Sequence, residues 1–275
     1  IECLEMNKFV KMIFEGDGEV APPQLVFLSV TIVALLQFPA YFMMRSGWMM
    51  SGILSNQLIA ILGVPLLLIW LLKLKKKRLI AIAWPGLLSM LLFVFITLSA
   101  DILMEYLTSF SESFIPLPDN VRRAIQDLIA IDSADSLVVK ISLLCVLPAI
   151  CEEIFFRGYC QTSLAARWGN IPAIMASALI FAMLHGNPWY IHLYFILGVF
   201  LGWTYAVTGT LAVPIACHMI NNIWTIAINH YKIEFPIHQG SGVTNYVIIA
   251  GCILSVLALF RIYKIYNNNR VLDLP

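Results

Sequence analysis

The stretch AICEEIFFRGYC places three charged side chains, Glu152, Glu153 and Arg157, inside a long hydrophobic run. Ionisable side chains are costly within a membrane, usually face the interior of a helix bundle, and are functional by default. Glu153 and Arg157 are four residues apart, so they share a helix face and are predicted to form an internal ion pair. Glu152 is turned about 100° from Glu153 by the helical period. It is therefore free to face a different group.

Two other hydrophobic segments carry polar side chains that could act together with Glu152. His185 lies on one of them, and His218 and Asn222, four residues apart on the other, project from one helix face. A glutamate in a partly dry cavity, helped by a histidine, can hold and deprotonate a water molecule. An imidazole or carboxamide N–H can donate to the oxyanion that forms when this water attacks a carbonyl. These residues predict an amide hydrolase that forms no covalent intermediate.

Each of these elements also has a structural explanation. The Glu153–Arg157 pair alone is explained at least as well as a structural ion pair, and a lone His185 as a hydrogen-bonded packing residue. His218 and Asn222 could bridge neighbouring helices, as polar residues within membranes often do. All of them together on three predicted helices are harder to explain by packing, and this favours a site.

The elements that position these groups are predicted to be membrane helices. The 275 residues are 60% hydrophobic and 12% charged, whereas soluble domains are about 45–50% apolar and about 25% charged. This composition predicts an all-α fold, a polytopic membrane bundle. The net charge of +1 gives no basic surface for nucleic acid, so that class is set aside. Six cysteines without CxxC or zinc-ligand spacing are predicted to be small buried hydrophobes.

About eight segments are long and apolar enough to span a bilayer, which takes about 20 residues. They are Pro23–Met44, Ile53–Leu72, Leu79–Met104, Leu137–Ala165, Ile171–Trp189, Ile191–Val207, Leu211–His230 and Val243–Tyr266. A polar connection, Glu105–Ser136, separates the third from the fourth and contains a predicted surface helix, VRRAIQDLIAI.

These segments divide the chain into four regions. Residues 1–22 are an N-terminal amphipathic segment or a frayed tail, and residues 23–136 hold the first transmembrane helices and the polar connection. Residues 137–230 form the core that carries the candidate site, and residues 231–275 hold the last helix and a tail. The basic run between the second and third helices, KLKKKR, predicts a cytoplasmic loop. Counting helices from this loop places both termini in the cytoplasm.

The order and spacing of the polar residues resemble one known family. It is the CAAX-processing and bacteriocin-processing intramembrane proteases, also called the type II CAAX prenyl endopeptidase or Abi family. The EExxxR motif reads EEIFFR here, FxxxH reads FAMLH and ends at His185, and HxxxN reads HMINN from His218 to Asn222. The intervening FILGVFLGWTYAVTGTL is similar to the family's glycine-rich helix. The resemblance covers residues 137–230.

The resemblance implies an intramembrane endopeptidase with eight transmembrane helices, in a prokaryotic cell membrane, acting on a hydrophobic or lipidated peptide or protein. It implies that Glu152 and His185 activate the water and that His218 and Asn222 stabilise the oxyanion. The Glu153–Arg157 pair would support them.

Three matters stay open in the sequence. Members of this family are described both as metalloproteases and as metal-free glutamate proteases, and Glu152, His185 and His218 would hold a zinc ion if one bound. The absence of an HExxH motif and the poor ligand Asn222 favour a site without a cofactor. An alternative function is a non-enzymatic regulator or immunity protein that binds a peptide in the same cavity. A transporter is a third possibility, disfavoured because no inverted repeat is evident.

Overall fold

The computed structural model describes residues 18–131, 133–231 and 251–265, the last range with gaps at 252, 256 and 263. This part of the chain is helical and contains no strand, which confirms the predicted all-α fold. Its helices are α1 (Pro23–Arg45), α2 (Met49–Leu71), α3 (Lys76–Leu79), α4 (Leu87–Glu112), α5 (Asp119–Ile129), α6 (134–168), α7 (Asn170–Leu184), α8 (Ile191–Thr208), α9 (Ala212–Tyr231) and α10 (Ile253–Ile262).

Four of the described helices, α1, α2, α4 and α8, are long and apolar enough to cross a membrane. They expose large apolar side chains to the surroundings, among them Phe42, Trp70 and Phe110. An outer surface of this kind suits lipid rather than water, so the chain is an integral membrane protein. The predicted number of eight spans and the cytoplasmic position of both termini stay predictions.

The third predicted helix begins and ends eight residues too early, because α4 runs from Leu87 to Glu112. The apolar residues before it do not continue a helix. Gly86 adopts a φ of +87°, and Ala81 O accepts a hydrogen bond from the backbone N–H of Leu211 at 2.8 Å. This segment therefore bonds to the turn between α8 and α9. The polar connection starts correspondingly later than predicted, and the expected surface helix within it is α5.

The fifth predicted helix is wrong at its C-terminal end. Helix α7 stops at Leu184, because Gly186 adopts a φ of +62° and Pro188 follows. His185 is therefore the C-cap residue of α7 rather than a residue within the helix.

The remaining predicted helices, the first, second, fourth, sixth and seventh, agree with the structure to within four residues at each end. Two predictions lie partly outside the described residues. Residues 1–17 of the N-terminal segment are not described, and neither are residues 243–250 and 266 of the last predicted helix.

Helix α6 carries the three charges of the EEIFFR motif, and two π-helical stretches, Ile141–Val146 and Ile154–Gln161, set its path. Between them, Pro148 lies inside this continuous helix, where it cannot donate a backbone hydrogen bond. π-Helical stretches like these two are frequent at functional sites. All residues from Cys151 to Gln161 are buried, so α6 runs through the centre of the bundle.

Four of the six cysteines lie in the described part of the chain as free thiols. They are Cys145, Cys151, Cys160 and Cys217, and all are buried. This confirms for these four the prediction of small buried hydrophobes.

Residues 18–22 before α1 are tied to the basic loop that follows α2. The Glu19 carboxylate pairs with Lys75 and Arg78, and Ala21 N donates to Ser163 Oγ on α6 at 3.2 Å. The hydrogen bond from Lys75, and next the one from Arg78, hold the pKa of the Glu19 carboxyl below its ordinary value. This contact fixes the start of α1 against the start of the basic loop.

Candidate active site

Glu153 is the centre of a buried ion-pair network that joins three helices. Arg157 Nη1 donates to Glu153 Oε1 at 2.7 Å, and both side chains are fully buried. The other terminal nitrogen, Nη2, donates to the carbonyl of Gly198 on α8 at 3.0 Å. His218 of α9 donates from Nδ1 to the same Glu153 Oε1 at 2.8 Å. The predicted ion pair is therefore present, and it also holds a histidine that the sequence assigned only to Glu152.

The Glu152 side chain turns away from this network, as the helical period requires. Its Oε1 accepts a hydrogen bond from Gln57 Nε2 of α2 at 2.9 Å. Its Oε2 has no hydrogen-bond partner among the described residues, and lies 3.9 Å from Nε2 of His185 and 3.9 Å from Nε2 of His218. These separations are too long for direct hydrogen bonds. One water molecule can bridge them.

The two histidines present the same ring nitrogen to Glu152 because each uses Nδ1 elsewhere. His185 Nδ1 lies 2.7 Å from the carbonyl of Phe181. A carbonyl only accepts, so this nitrogen carries the hydrogen and Nε2 is the acceptor of the neutral ring. Tyr194 of α8 stacks on the His185 ring, with centroids 4.1 Å apart and planes inclined by 25°. Backbone and ring contacts therefore fix the orientation of His185 at the end of α7.

A cavity of about 390 Å³ brings together all four residues predicted to be catalytic. Glu152, His185, His218 and Asn222 line it, together with Gln57. A second cavity of about 630 Å³ adjoins the first, since both are lined by His185 among other residues. The first of these volumes is of the size that small-molecule and peptide groups occupy in proteins. The arrangement presents a carboxylate oxygen, two imidazole nitrogens and a carboxamide to one partly open cavity.

Residues 134–224 match the family model described as Type II CAAX prenyl endopeptidase Rce1-like. This region is a CAAX protease domain. It contains all six residues of the predicted site, Glu152, Glu153, Arg157, His185, His218 and Asn222, so the family resemblance is confirmed for this region, and the family indicates a peptidase. No curated protein and no solved structure matches the chain.

Two side chains outside the CAAX protease domain, Gln57 and Asp101, form hydrogen bonds with polar side chains that line the cavity. Neither was predicted from the sequence. Gln57 of α2 bonds to Glu152. Asp101 of α4, which is 2% exposed, accepts from Asn221 Nδ2 at 2.7 Å and thereby holds α9 against α4. Both are polar residues within apolar predicted helices, and that feature of the sequence could have identified them. Asp101 was missed because the third helix was predicted to end nearby, at Met104.

Glu152, His185 and His218 are the side chains predicted to hold a zinc ion if one binds. Glu152 Oε2 lies 3.9 Å from Nε2 of each histidine, whereas tetrahedral ligands with bonds of about 2.0–2.1 Å lie about 3.3 Å from each other. Within the part of the chain that the structure describes, no group of three or more His, Cys, Asp or Glu side chains is placed to hold a metal ion. In this arrangement the two separations are wider than a bound zinc ion would set, and a site without a cofactor stays a prediction.

Proposed function

We propose that this chain is an intramembrane endopeptidase that hydrolyses a peptide bond of a hydrophobic or lipidated peptide or protein. The observation that carries the proposal is the convergence of Glu152 Oε2 and the Nε2 atoms of His185 and His218, at 3.9 Å each, on one cavity. The CAAX protease domain supports the reaction class. The apolar outer surfaces of α1, α2, α4 and α8 support a site within the membrane.

Glu152 and His185 are the groups that position and activate the water. A water molecule between them donates to Oε2 and forms a bond from its oxygen to the substrate carbonyl carbon, while Oε2 takes the proton. The carbonyl oxygen becomes an oxyanion. When the carbon–nitrogen bond breaks, the proton passes from Glu152 to the leaving amine, and the carboxylate is regenerated.

The charges of the buried groups support His218 as the oxyanion donor. The buried site contains two carboxylates, Glu152 and Glu153, and one guanidinium, Arg157. One additional proton therefore makes this set of groups neutral, and burial strongly favours neutrality. We place that proton on His218, because its Nδ1 donates to a carboxylate, whereas His185 donates to an uncharged carbonyl. His218 then carries an N–H at Nε2, which donates to the oxyanion. The carboxamide of Asn222 on the same cavity wall provides a second donor.

The test uses purified protein in lipid nanodiscs and internally quenched hydrophobic peptides, with and without a lipidated cysteine. The wild type is expected to cleave at least one peptide, and Glu152→Gln is expected to lower kcat by about 10²–10⁴-fold. Asp127→Asn, which removes an exposed carboxylate from α5, is the control and is expected to cleave normally. Full activity of a folded Glu152→Gln protein would show that this carboxylate is not the base.

Independence from metal is a separate part of the proposal. We expect a strong chelator to leave the cleavage rate unchanged after prolonged incubation. A loss of activity that added zinc restores would show that a metal takes part.

A further inference from the structure

We propose that Gln57 of α2 is a positioning residue for Glu152, holding one carboxylate oxygen so that the other faces the two histidines. The inference rests on the proposed function, because it concerns which oxygen of Glu152 takes the proton from water. Gln57 lies outside residues 134–224, the range of the CAAX protease domain.

The contact is a single hydrogen bond between two buried side chains. Gln57 Nε2 donates to Glu152 Oε1 at 2.9 Å, across a separation of 95 residues in sequence. Gln57 is 6% exposed and Glu152 is 7% exposed. Since Oε2 has no hydrogen-bond partner among the described residues, Gln57 is the side chain that selects the rotation of the carboxylate.

The position of Gln57 follows from the packing of α2 on α6. The π-helical stretch Ser55–Gly63 of α2 packs against the segment Leu147–Glu153, which carries Glu152. An amide at this point donates a hydrogen without adding a positive charge. A lysine or arginine would instead pair with the carboxylate as a cation and compete with the proton that Glu152 must accept.

This contact has a direct consequence for the reaction. If Oε1 stays bound to Gln57, Oε2 alone takes the proton from water, 3.9 Å from both imidazole nitrogens. Without the amide, the carboxylate can rotate away from the histidines. A displacement of about 1 Å in a catalytic group can cost about 10²-fold in rate.

The chain contains a close match for a control. Gln161 of α6 is also buried, at 2% exposed. Its Nε2 donates one hydrogen bond, to the carbonyl of Gly202 at 2.8 Å. In both glutamines Oε1 has no hydrogen-bond partner among the described residues. Gln161 is not among the residues that line the two cavities, so replacing it removes an equivalent hydrogen bond away from Glu152.

The experiment compares Gln57→Met with Gln161→Met in the peptide-cleavage assay. We expect Gln57→Met to lower kcat by about 10–100-fold with KM changed less than about twofold. Gln161→Met is expected to lower thermal stability to a similar extent and to keep the wild-type kcat. A wild-type kcat in folded Gln57→Met, or equal losses of kcat in both variants, would overturn the inference.

A second measurement separates this inference from the peptidase assignment. The unfolding free energies of Gln57→Met, Glu152→Met and the double variant form a cycle that reads their contact without a substrate. We expect the double variant to lose less than the sum of the single losses, because each single variant leaves one polar group without its partner. If the wild type cleaves no peptide, the proposed function fails. Additive losses in the unfolding cycle would overturn the positioning role, whether or not a peptide is cleaved.

Discussion

Replacing Glu153 with glutamine is expected to destabilise the protein strongly, whereas the same replacement of the adjacent Glu152 is expected to change stability little. The two residues differ in what they bind. Glu153 is fully buried and accepts from both Arg157 and His218 at one oxygen. Glu152 faces a cavity, and its Oε2 has no hydrogen-bond partner among the described residues.

The size of each effect follows from these contacts. Glu153→Gln leaves the charge of Arg157, which is 0% exposed, without a carboxylate, and removing one partner of a buried pair costs about 3–5 kcal/mol. The new amide oxygen can still accept one hydrogen bond, so we expect the lower end, about 3 kcal/mol. Glu152→Gln removes a buried charge that lacks a full set of partners and keeps an acceptor for Gln57. Its stability is expected to stay within about 1 kcal/mol of the wild type.

The measurement is reversible unfolding in mixed micelles, followed by tryptophan fluorescence, for the wild type and both variants. A third protein, Glu153→Gln with Arg157→Met, tests the cause: removing both charges is expected to recover part of the lost stability. Equal losses in the two single variants, or a Glu153→Gln protein as stable as the wild type, would refute the division of roles between the glutamates.

Three further predictions concern the contacts that support the site. Gly198→Ala is expected to destabilise the protein by about 1–3 kcal/mol in thermal unfolding, because the added Cβ would lie 2.9 Å from Ala178 Cα on α7; an unchanged midpoint would show that the two helices separate freely. Asp101→Leu is expected to cost about 1–3 kcal/mol by leaving the Asn221 amide without its acceptor, while Asp101→Asn keeps an acceptor and stays close to the wild type; equal losses would contradict this. Glu19→Gln is expected to lower stability at neutral pH only. Because folding lowers the pKa of Glu19, its carboxylate stabilises the folded protein at pH values above the ordinary pKa of 4.5, and this contribution is lost as the pH falls through the lower pKa of the folded state. Thermal unfolding from about pH 7 to about pH 3 checks this, and a difference that persists in acid would refute it.

The sequence predicts the helices and the local geometry of the motif well, because these depend on near neighbours. Apolar runs give the helices, and the separation of four residues between Glu153 and Arg157 is a property of one helix. The ion pair therefore follows without any knowledge of packing. The third predicted helix fails for the opposite reason. Residues 80–86 are apolar, but they bond to the turn after α8, and that contact is not visible in the local sequence.

The candidate site also has features that the local sequence predicts and features that depend on contacts between distant segments. The residue types and their order along three segments identify Glu152, His185, His218 and Asn222 as one set from the sequence alone. The sequence does not reveal that His218 binds Glu153 through Nδ1, across 65 residues. It also does not reveal Gln57, which reaches Glu152 from a helix outside the family domain.

The sequence by itself therefore determines the membrane-protein character, the family of residues 134–224 and the faces of α6 on which its charges lie. Only the tertiary structure decides which oxygen of Glu152 faces the histidines and which ring nitrogens they present to it. The physical reason is that these features are set by hydrogen bonds between helices. Such bonds depend on how α2, α7 and α9 pack against α6, and no local pattern records that packing.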